Sequence, residues 1–157
     1  MAKKDEITRK LKALGAEAAL RADEKNETGA ALSVRLPLGK LREAVAACDE
    51  VGYFLELVTG LDFKDTLEVV YHMNCYEPSS RIVLRALCGH EEAVPSIIDI
   101  FSGAKWFERE VHDYFGIVFE NNPDLRPLLL PEDADYHPLR KTFGKVGAYH
   151  IREEIYG

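Results

Sequence analysis

Hydrophobic residues recur every three or four positions in two segments of the first third of the chain, and this spacing predicts amphipathic helices. The first helix starts near Lys4 and is closed by Gly15, because glycine readily takes the left-handed conformation that ends a helix. The second helix covers residues 41–51 and ends at Gly52. Both helices present one apolar side to a core.

Four segments are rich in β-branched and aromatic residues and are bounded by turn residues, which predicts strands. The alternation is clearest in residues 66–76, where one side carries Leu67, Val69, Tyr71 and Met73 and the other Glu68, Val70, His72 and Asn74. This pattern predicts one buried and one wetter face. The predicted strands cover residues 31–36, 53–59, 66–76 and 81–88, and a shorter strand is expected at 16–23, before a polar turn at 25–29.

Short spacers separate the last three strands, and such spacers favour antiparallel hairpins. The turn residues are Gly60, Asp62 and Asp65 in the first spacer and Pro78, Ser79 and Ser80 in the second. Helical spacing then returns in residues 94–101 and 104–115, and Gly116 is the expected end of the last helix. We therefore predict an α+β domain over residues 1–119, with a mainly antiparallel sheet and helices packed on one face.

The pattern changes in residues 120–157, which we call the arm. Four prolines, at positions 123, 127, 131 and 138, interrupt any regular element, and each favours an extended conformation in the residue before it. Such a long aperiodic stretch is unusual inside a compact domain, yet this one is rich in Leu, Tyr and Phe. We expect an extended arm that lies against a partner and is poorly ordered without it.

Composition narrows the class of partner. The chain has 157 residues, 46% of them hydrophobic, and a formal net charge of −7. This charge disfavours binding to nucleic acid, since phosphate backbones attract basic surfaces. No apolar run has the length of a membrane span and no signal-peptide core is found, so we expect a cytoplasmic protein without direct membrane insertion.

The cysteines give no support for a cluster or a disulfide framework. Cys48, Cys75 and Cys88 are odd in number and form no C-x-x-C pair. We expect reduced thiols that pack as small apolar side chains. The histidines at positions 112, 137 and 150 show no ligand spacing, so His137 is interpreted as a hydrogen-bonded interface residue and no metal is expected.

The densest group of charged residues lies in the helix predicted at 104–115. Glu108 and His112, and likewise Arg109 and Asp113, are four residues apart, which predicts ion pairs on an exposed face of the helix. An alternative is acid–base chemistry by Glu110 and Asp113. The sequence offers no nucleophile or oxyanion hole beside them, so this free-standing enzyme is the remote alternative.

Three stretches of the second half together identify a family. Residues 108–119 read Glu-Arg-Glu-x-x-Asp-x-x-Gly-Ile-x-Phe, residues 123–133 read Pro-Asp-Leu-Arg-x-Leu-Leu-Leu-Pro-Glu-Asp, and residues 137–141 read His-Pro-Leu-Arg-Lys. In this order and spacing they resemble the 30 kDa subunit of respiratory complex I, which is the C subunit of NADH dehydrogenase. The family also includes the equivalent subunits of complex I-related membrane-bound [NiFe] hydrogenases and formate hydrogenlyases.

The resemblance implies a non-catalytic structural or assembly subunit in the peripheral arm of an NADH:quinone oxidoreductase-type complex, at the cytoplasmic membrane. It implies no cluster, flavin or nucleotide in this subunit, and docking on the large 49 kDa-type, hydrogenase-like subunit and other peripheral-arm subunits. The equivalent subunit of a hydrogenase or formate hydrogenlyase is the alternative. The candidate partner-binding residues are Glu108, Arg109, Glu110, Asp113, Asp124, Arg126, His137, Arg140 and Lys141.

Overall fold

The computed structural model describes residues 3–16 and 29–144, which form three α-helices and six strands. The helices are α1 (Lys3–Ala13), α2 (Leu41–Val51) and α3 (Ala104–Phe115). The strands are β1 (Leu32–Leu36), β2 (Phe54–Asp62), β3 (Leu67–Cys75), β4 (Ser80–Cys88), β5 (Val94–Pro95) and β6 (Phe119–Glu120). Each helix has 11 or 12 residues and so makes about three turns.

The main sheet has the order β1-β4-β3-β2. Strands β2, β3 and β4 form the predicted antiparallel hairpins, because their connections are too short for a crossover. β1 instead lies parallel to β4, with Leu32 opposite Ile82. β5 and β6 form a separate parallel pair, with Val94 opposite Phe119. The predicted α+β fold with a mainly antiparallel sheet is confirmed.

One face of the sheet carries the main core. The alternating side chains Leu32, Val34 and Leu36 of β1 are all buried there. Buried residues from all three helices belong to the same cluster, including Ile7 of α1, Val45 of α2 and Val111 of α3. Burial of each large apolar side chain contributes about 1.5–3 kcal/mol, so this face accounts for the position of the helices.

The other face of β3 is less polar than its alternation predicted. Glu68 and Val70 are buried, and only His72 and Asn74 are partly exposed. The Glu68 carboxylate is 2.6 Å from the Arg85 guanidinium of β4, and this pairing makes its burial tolerable. Val70 packs in a second small cluster with Ala30 and Val83. The expectation of a wet face is therefore wrong for the first half of β3.

Two sequence predictions need correction. Residues 94–101 do not form a helix: β5 and a series of turns occupy this segment, because Pro95 and the pairing with β6 replace helical hydrogen bonds. Gly60 and Asp62, predicted as turn residues, lie within β2. The strand expected at 16–23 and most of the turn at 25–29 fall outside the described residues.

The predicted helix ends are confirmed at Gly52 and Gly116, which take left-handed backbone conformations with φ of 88° and 68°. All three cysteines are free and buried, as expected for thiols that act as small apolar side chains. Burial raises the pKa of the Cys88 thiol to about 11. Within residues 3–16 and 29–144, no helix is long and apolar enough to cross a membrane.

Candidate functional site

The motif residues gather at one place, where α3 meets the arm that follows β6. α3 lies close to β2, where a Cβ on Gly60 would come within 2.6 Å of the Phe115 ring. Glycine at this position of the strand therefore allows the close approach of the helix. Residues 121–144 of the arm contact α3 from its middle to its last residue. We call this region the α3–arm joint.

Glu108 connects α3 to both neighbouring segments. Its carboxylate is fully buried and accepts hydrogen bonds from the Ser96 hydroxyl, the Ile97 N–H and the Asn122 amide, each at 2.8 Å. Burial raises the pKa of Glu108, and the three donors oppose this shift. Glu108 thus fixes the segment before α3 and the first residues of the arm relative to each other.

Arg109 holds the next part of the arm. Its guanidinium donates to the carbonyl oxygens of Arg126 and Pro127 at 2.9 and 2.8 Å, and it lies 5.4 Å from the centre of the Trp106 ring. Asp124 lies near the same guanidinium, at 3.9 Å. The pKa of Asp124 is lowered well below its ordinary value, first by a hydrogen bond from Arg126 and further by the positive charges of Arg126 and Arg109.

Asp113 forms the centre of the joint. One of its carboxylate oxygens accepts the main-chain N–H groups of three successive leucines, Leu128 and Leu129 at 2.8 Å and Leu130 at 3.3 Å. Three convergent N–H groups make an anion-binding concavity of the kind that favours a negative charge. The buried carboxylate therefore fixes the turn of the leucine segment against α3.

The His-Pro-Leu-Arg stretch caps the C-terminal end of α3. The last carbonyls of a helix have no partner within it. Here His137 Nδ1 donates to the Asp113 main-chain oxygen at 2.8 Å, and the Leu139 N–H donates to the Tyr114 oxygen at 3.1 Å. The Arg140 guanidinium donates to the Phe115 oxygen. A cationic donor at this end also matches the helix dipole.

The Gly116 N–H completes this cap by donating to the His112 oxygen at 2.8 Å. A Cβ on Gly116 would lie 2.6 Å from the His137 ring, so the ring packs directly on the glycine. The His137 ring is hydrogen-bonded as expected, whereas its role at an interface with a partner stays a prediction. Its hydrogen-bond partner is the carbonyl of this chain's own helix.

The last described part of the arm reaches the sheet. The Lys141 N–H donates to the Asp62 carboxylate at the end of β2, at 2.7 Å, and Arg140 contacts His90 Nδ1 at 2.7 Å. These contacts join the arm to segments that are 79 and 50 residues away in sequence. The arm is thus fixed at the helix and at the sheet.

Two sequence expectations about this region are wrong. The ion pairs predicted between residues four apart in α3 give way to contacts with the arm and with residues 96–97. Glu108, Arg109 and Asp113 are buried instead of forming an exposed charged face. The physical reason is that main-chain groups of an aperiodic segment need partners, and these side chains supply them. Residues 121–144 accordingly lie against this chain's own α3.

The remaining candidates lie at the edge of the joint. Glu110 is partly exposed, and the Arg126 side chain is 83% exposed while it pairs with Asp124 at 2.8 Å. Acid–base chemistry by Glu110 and Asp113 would require both carboxylates to be accessible. Asp113 is 3% exposed and already accepts main-chain N–H groups, so it does not meet this requirement. No cluster of three or more metal-ligating side chains occurs in the part of the chain that the structure describes.

Four residues of the joint are not predicted from the sequence. Ser96, Asn122, Asp62 and His90 contact motif residues, but three of them come from distant segments and have no local signal. Asn122 is the exception. An Asn directly before Pro123 and Asp124 is typical of a turn in which the side chain binds nearby main-chain groups, and its oxygen accepts the Asp124 N–H at 2.9 Å.

Comparison with known sequences places these features in a family. The profile of the family described as respiratory-chain NADH dehydrogenase, 30 Kd subunit, matches residues 34–149, a range that starts in β1 and includes the whole α3–arm joint. The C subunit of NADH-quinone oxidoreductase from Ruegeria sp. (strain TM1040) is 44% identical over 98 residues, which are 60% of this chain and 49% of the relative.

A second relative gives the same result. The C subunit of NADH-quinone oxidoreductase from Rhodopseudomonas palustris (strain TIE-1) is 41% identical over 98 residues, 60% of this chain and 48% of that protein. The matched part therefore spans about half the length of these curated relatives.

A solved structure shares most of the fold. It is a chain of the membrane-bound sulfane sulfur reductase, described as an archaeal respiratory membrane complex. The two chains superpose with a TM-score of 0.76 and 25% sequence identity, covering 93% of this chain and 88% of the other. The similarity thus extends beyond the segment matched by the curated relatives.

Proposed function

The chain belongs to the respiratory-chain NADH dehydrogenase 30 kDa subunit family, and from this membership we propose that it is a non-catalytic structural subunit of a complex I-type electron-transfer complex. Its role in that complex is to position and hold neighbouring subunits. Its place is the peripheral arm, at the cytoplasmic surface of the membrane. The electrons pass through cofactors of other subunits.

The observation that carries this proposal is the extent of the family match. It covers residues 34–149 and so includes most of the sheet domain and most of the arm, rather than the α+β fold alone. The structural neighbour supports it, because that chain comes from a respiratory membrane complex. The joint itself has the chemistry of a structural device, since its buried charged groups bind main-chain atoms.

We further propose that residues 1–119 form the domain and that residues 120–157 form an arm that docks on the large 49 kDa-type subunit. Glu108, Arg109 and Asp113 contribute by holding the arm in one conformation. An ordered segment loses less conformational entropy on association than a flexible one. Arg126 and Glu110, which are more exposed, are left for weak contacts at the periphery of the interface.

A second host complex has a specific observation in its favour. The structural neighbour is part of a sulfane sulfur reductase, so this fold also serves a complex with a different terminal reaction. A hydrogenase or formate hydrogenlyase host is the corresponding alternative for this chain. The proposed structural role is the same in each case.

Isolation of the host complex tests the proposal. The full chain carries an affinity tag in the source cells, membranes are solubilised, and the recovered subunits are identified by mass spectrometry. We expect a large hydrogenase-like subunit in stoichiometric amount. NADH oxidation, hydrogen oxidation and sulfur reduction by the recovered complex then identify the host. Recovery of the chain alone, under conditions that leave other membrane complexes intact, would contradict the proposal.

A further inference from the structure

The described part of the arm exposes more large apolar side chains than a covered segment would. Leu129, Tyr136, Leu139 and Phe143 are 59%, 40%, 53% and 44% exposed. The Tyr136 and Phe143 rings are stacked with their centres 5.4 Å apart, so they form one aromatic surface. We call these four residues the arm patch. A contiguous exposed apolar surface, such as that of the two stacked rings, commonly marks a binding site.

The main chain that carries the arm patch is held at the last turns of α3. The Leu129 N–H binds the Asp113 carboxylate, and the Leu139 N–H binds the Tyr114 oxygen. Tyr136 is next to His137, whose ring is bound to the Asp113 main-chain oxygen. The main chain of the arm thus faces α3 through its hydrogen bonds, while the side chains of the arm patch are exposed to solvent.

The charges beside the arm patch have mostly one sign. Glu132, Asp133 and Asp135 are exposed and lie between Leu129 and Leu139 in sequence. The two bases of the same segment are less accessible, because Arg140 donates to the Phe115 oxygen and contacts His90, and Lys141 is partly buried. The exposed charged side chains between Leu129 and Leu139 are therefore all acidic.

We propose that the arm patch is the centre of a protein–protein interface whose partner presents an apolar surface edged by Lys and Arg side chains. The inference rests on the proposed function, in which this partner is the large subunit of the host complex. In interfaces of this kind, a few central aromatic and apolar residues supply most of the binding energy. Charges at the edge orient the two partners and increase the rate of association. The buried charged residues of the motif have a different task, which is to present the arm patch.

A cleft beside the stacked rings fits this assignment. Its volume is about 330 Å³, and it is lined by Asp135, Tyr136, His137, Arg140, Thr142 and Phe143. It offers the two aromatic rings, the Asp135 carboxylate and the Arg140 guanidinium. A long side chain from the partner can place its apolar part against the rings and a cationic end near Asp135.

The test compares leucine substitutions in the full chain, expressed with a tag in the source cells. Leu129→Ser with Leu139→Ser removes the apolar centre, and Leu57→Ser is the control because Leu57 is also exposed but lies on β2. We expect the double variant to recover about tenfold less of the large subunit than the wild type, and the control to recover it within about twofold.

A charge-reversed variant tests the sign of the partner's surface. Asp133→Lys with Asp135→Lys is expected to reduce recovery of the large subunit at low salt and to reduce it less at high salt, because salt screens charges at an exposed edge. An unchanged recovery at low salt would contradict the basic edge assigned to the partner.

The outcomes of the leucine experiment distinguish failure of the proposed function from failure of this inference. If the wild-type chain recovers no large subunit, the proposed function fails. If the wild type does and the double variant recovers as much, the proposed function stands and this inference is overturned. Unfolding of the double variant, seen by circular dichroism, would show that these leucines are structural and would also overturn it. So would a dimer of the isolated chain that the same substitutions dissociate, since the arm patch would then bind a second copy.

Discussion

Gly116 meets two requirements, a left-handed backbone and contact with the His137 ring, which a double-mutant cycle can separate. Its φ of 68° is costly for any residue with a Cβ, and a Cβ would also lie 2.6 Å from the His137 ring. We expect Gly116→Ala to lower the free energy of unfolding by more than about 1 kcal/mol, measured by urea denaturation. Because His137 must move, Gly116→Ala with His137→Ala should lose less stability than the sum of the two single variants.

Gly103, at the other end of α3, is the control for this prediction. Its φ is −63°, and a Cβ there would meet no atom of another part of the chain within 4 Å. Gly103→Ala should therefore change the free energy of unfolding by less than about 0.5 kcal/mol. Equal effects at Gly103 and Gly116 would mean that the left-handed cap and the His137 ring place no special demand on the chain.

Glu108 gives a prediction for pH. Burial raises its pKa in the folded state, whereas in the unfolded chain the pKa is about 4.3. The folded state therefore holds the proton more tightly, and the stability due to this proton is present below the unfolded pKa and is lost as the pH rises through the folded pKa. The free energy of unfolding of the wild type minus that of Glu108→Gln should accordingly fall as the pH rises from about 4 to 7.

Urea unfolding of both proteins at a series of pH values measures this difference, in which the effects of other titrating groups largely cancel. A difference that stays constant over the range would show that the three hydrogen bonds to the carboxylate offset the effect of its burial. A difference that rises with pH would show that they exceed it.

At the residue scale, several residues of the joint are recognisable from the sequence, but their contacts are not. Glu108, Arg109 and Asp113 stand out by their density and by the resemblance to a family, but spacing along a helix predicts only contacts within that helix. Their partners are groups of residues 96–97 and 122–130. Contacts of that range depend on the tertiary fold, which periodicity does not contain.

At the scale of elements, Asp113 connects α3 to the arm through three main-chain N–H groups. We expect Asp113→Asn to weaken the joint by about 1.5–3 kcal/mol, because it replaces hydrogen bonds to a charged group by bonds to a neutral one. Hydrogen exchange of the isolated chain measures this locally. The amides of Leu128 and Leu129, which donate to Asp113, should be protected in the wild type and exchange faster in the variant.

Asp133→Asn is the matched control, since Asp133 is an exposed residue of the same arm. It should leave the protection of Leu128 and Leu129 unchanged. Rapid exchange of these two amides in the wild-type chain would instead support the expectation from the sequence that the arm is poorly ordered without its partner.

The elements themselves were largely predictable, because helices with a 3.6-residue period and strands joined by short turns are specified locally. The three helices and the hairpins of β2, β3 and β4 are of this kind. Residues 94–101 look helical because Val94, Ile97, Ile98 and Phe101 have helical spacing, although the segment turns around the core. The parallel pairing of β1 with β4 depends on strands far apart in sequence, and no local signal specifies it.

At the scale of the whole molecule, the arm binds the end of α3, and under the proposed function it also contacts the partner. Arg140 shows this most directly, because it caps α3 through the Phe115 oxygen and also lines the cleft beside the arm patch. Arg126 is its natural control: it lies in the same arm and its side chain is 83% exposed. Substitution of each arginine therefore compares a charge that holds the fold with a charge that is exposed at the surface.

We expect deletion of residues 121–157 to abolish association with the large subunit and to lower the melting temperature, because the last carbonyls of α3 lose His137, Leu139 and Arg140 as partners. Circular dichroism should still show a folded α+β domain, since the main core lies between the sheet and the helices. Arg140→Ala should weaken association by about 2–5 kcal/mol if the partner senses the arm's conformation, whereas Arg126→Ala should cost less than about 1 kcal/mol. If the truncated chain binds the large subunit with unchanged affinity, the interface must lie on the sheet or on the exposed side of α3.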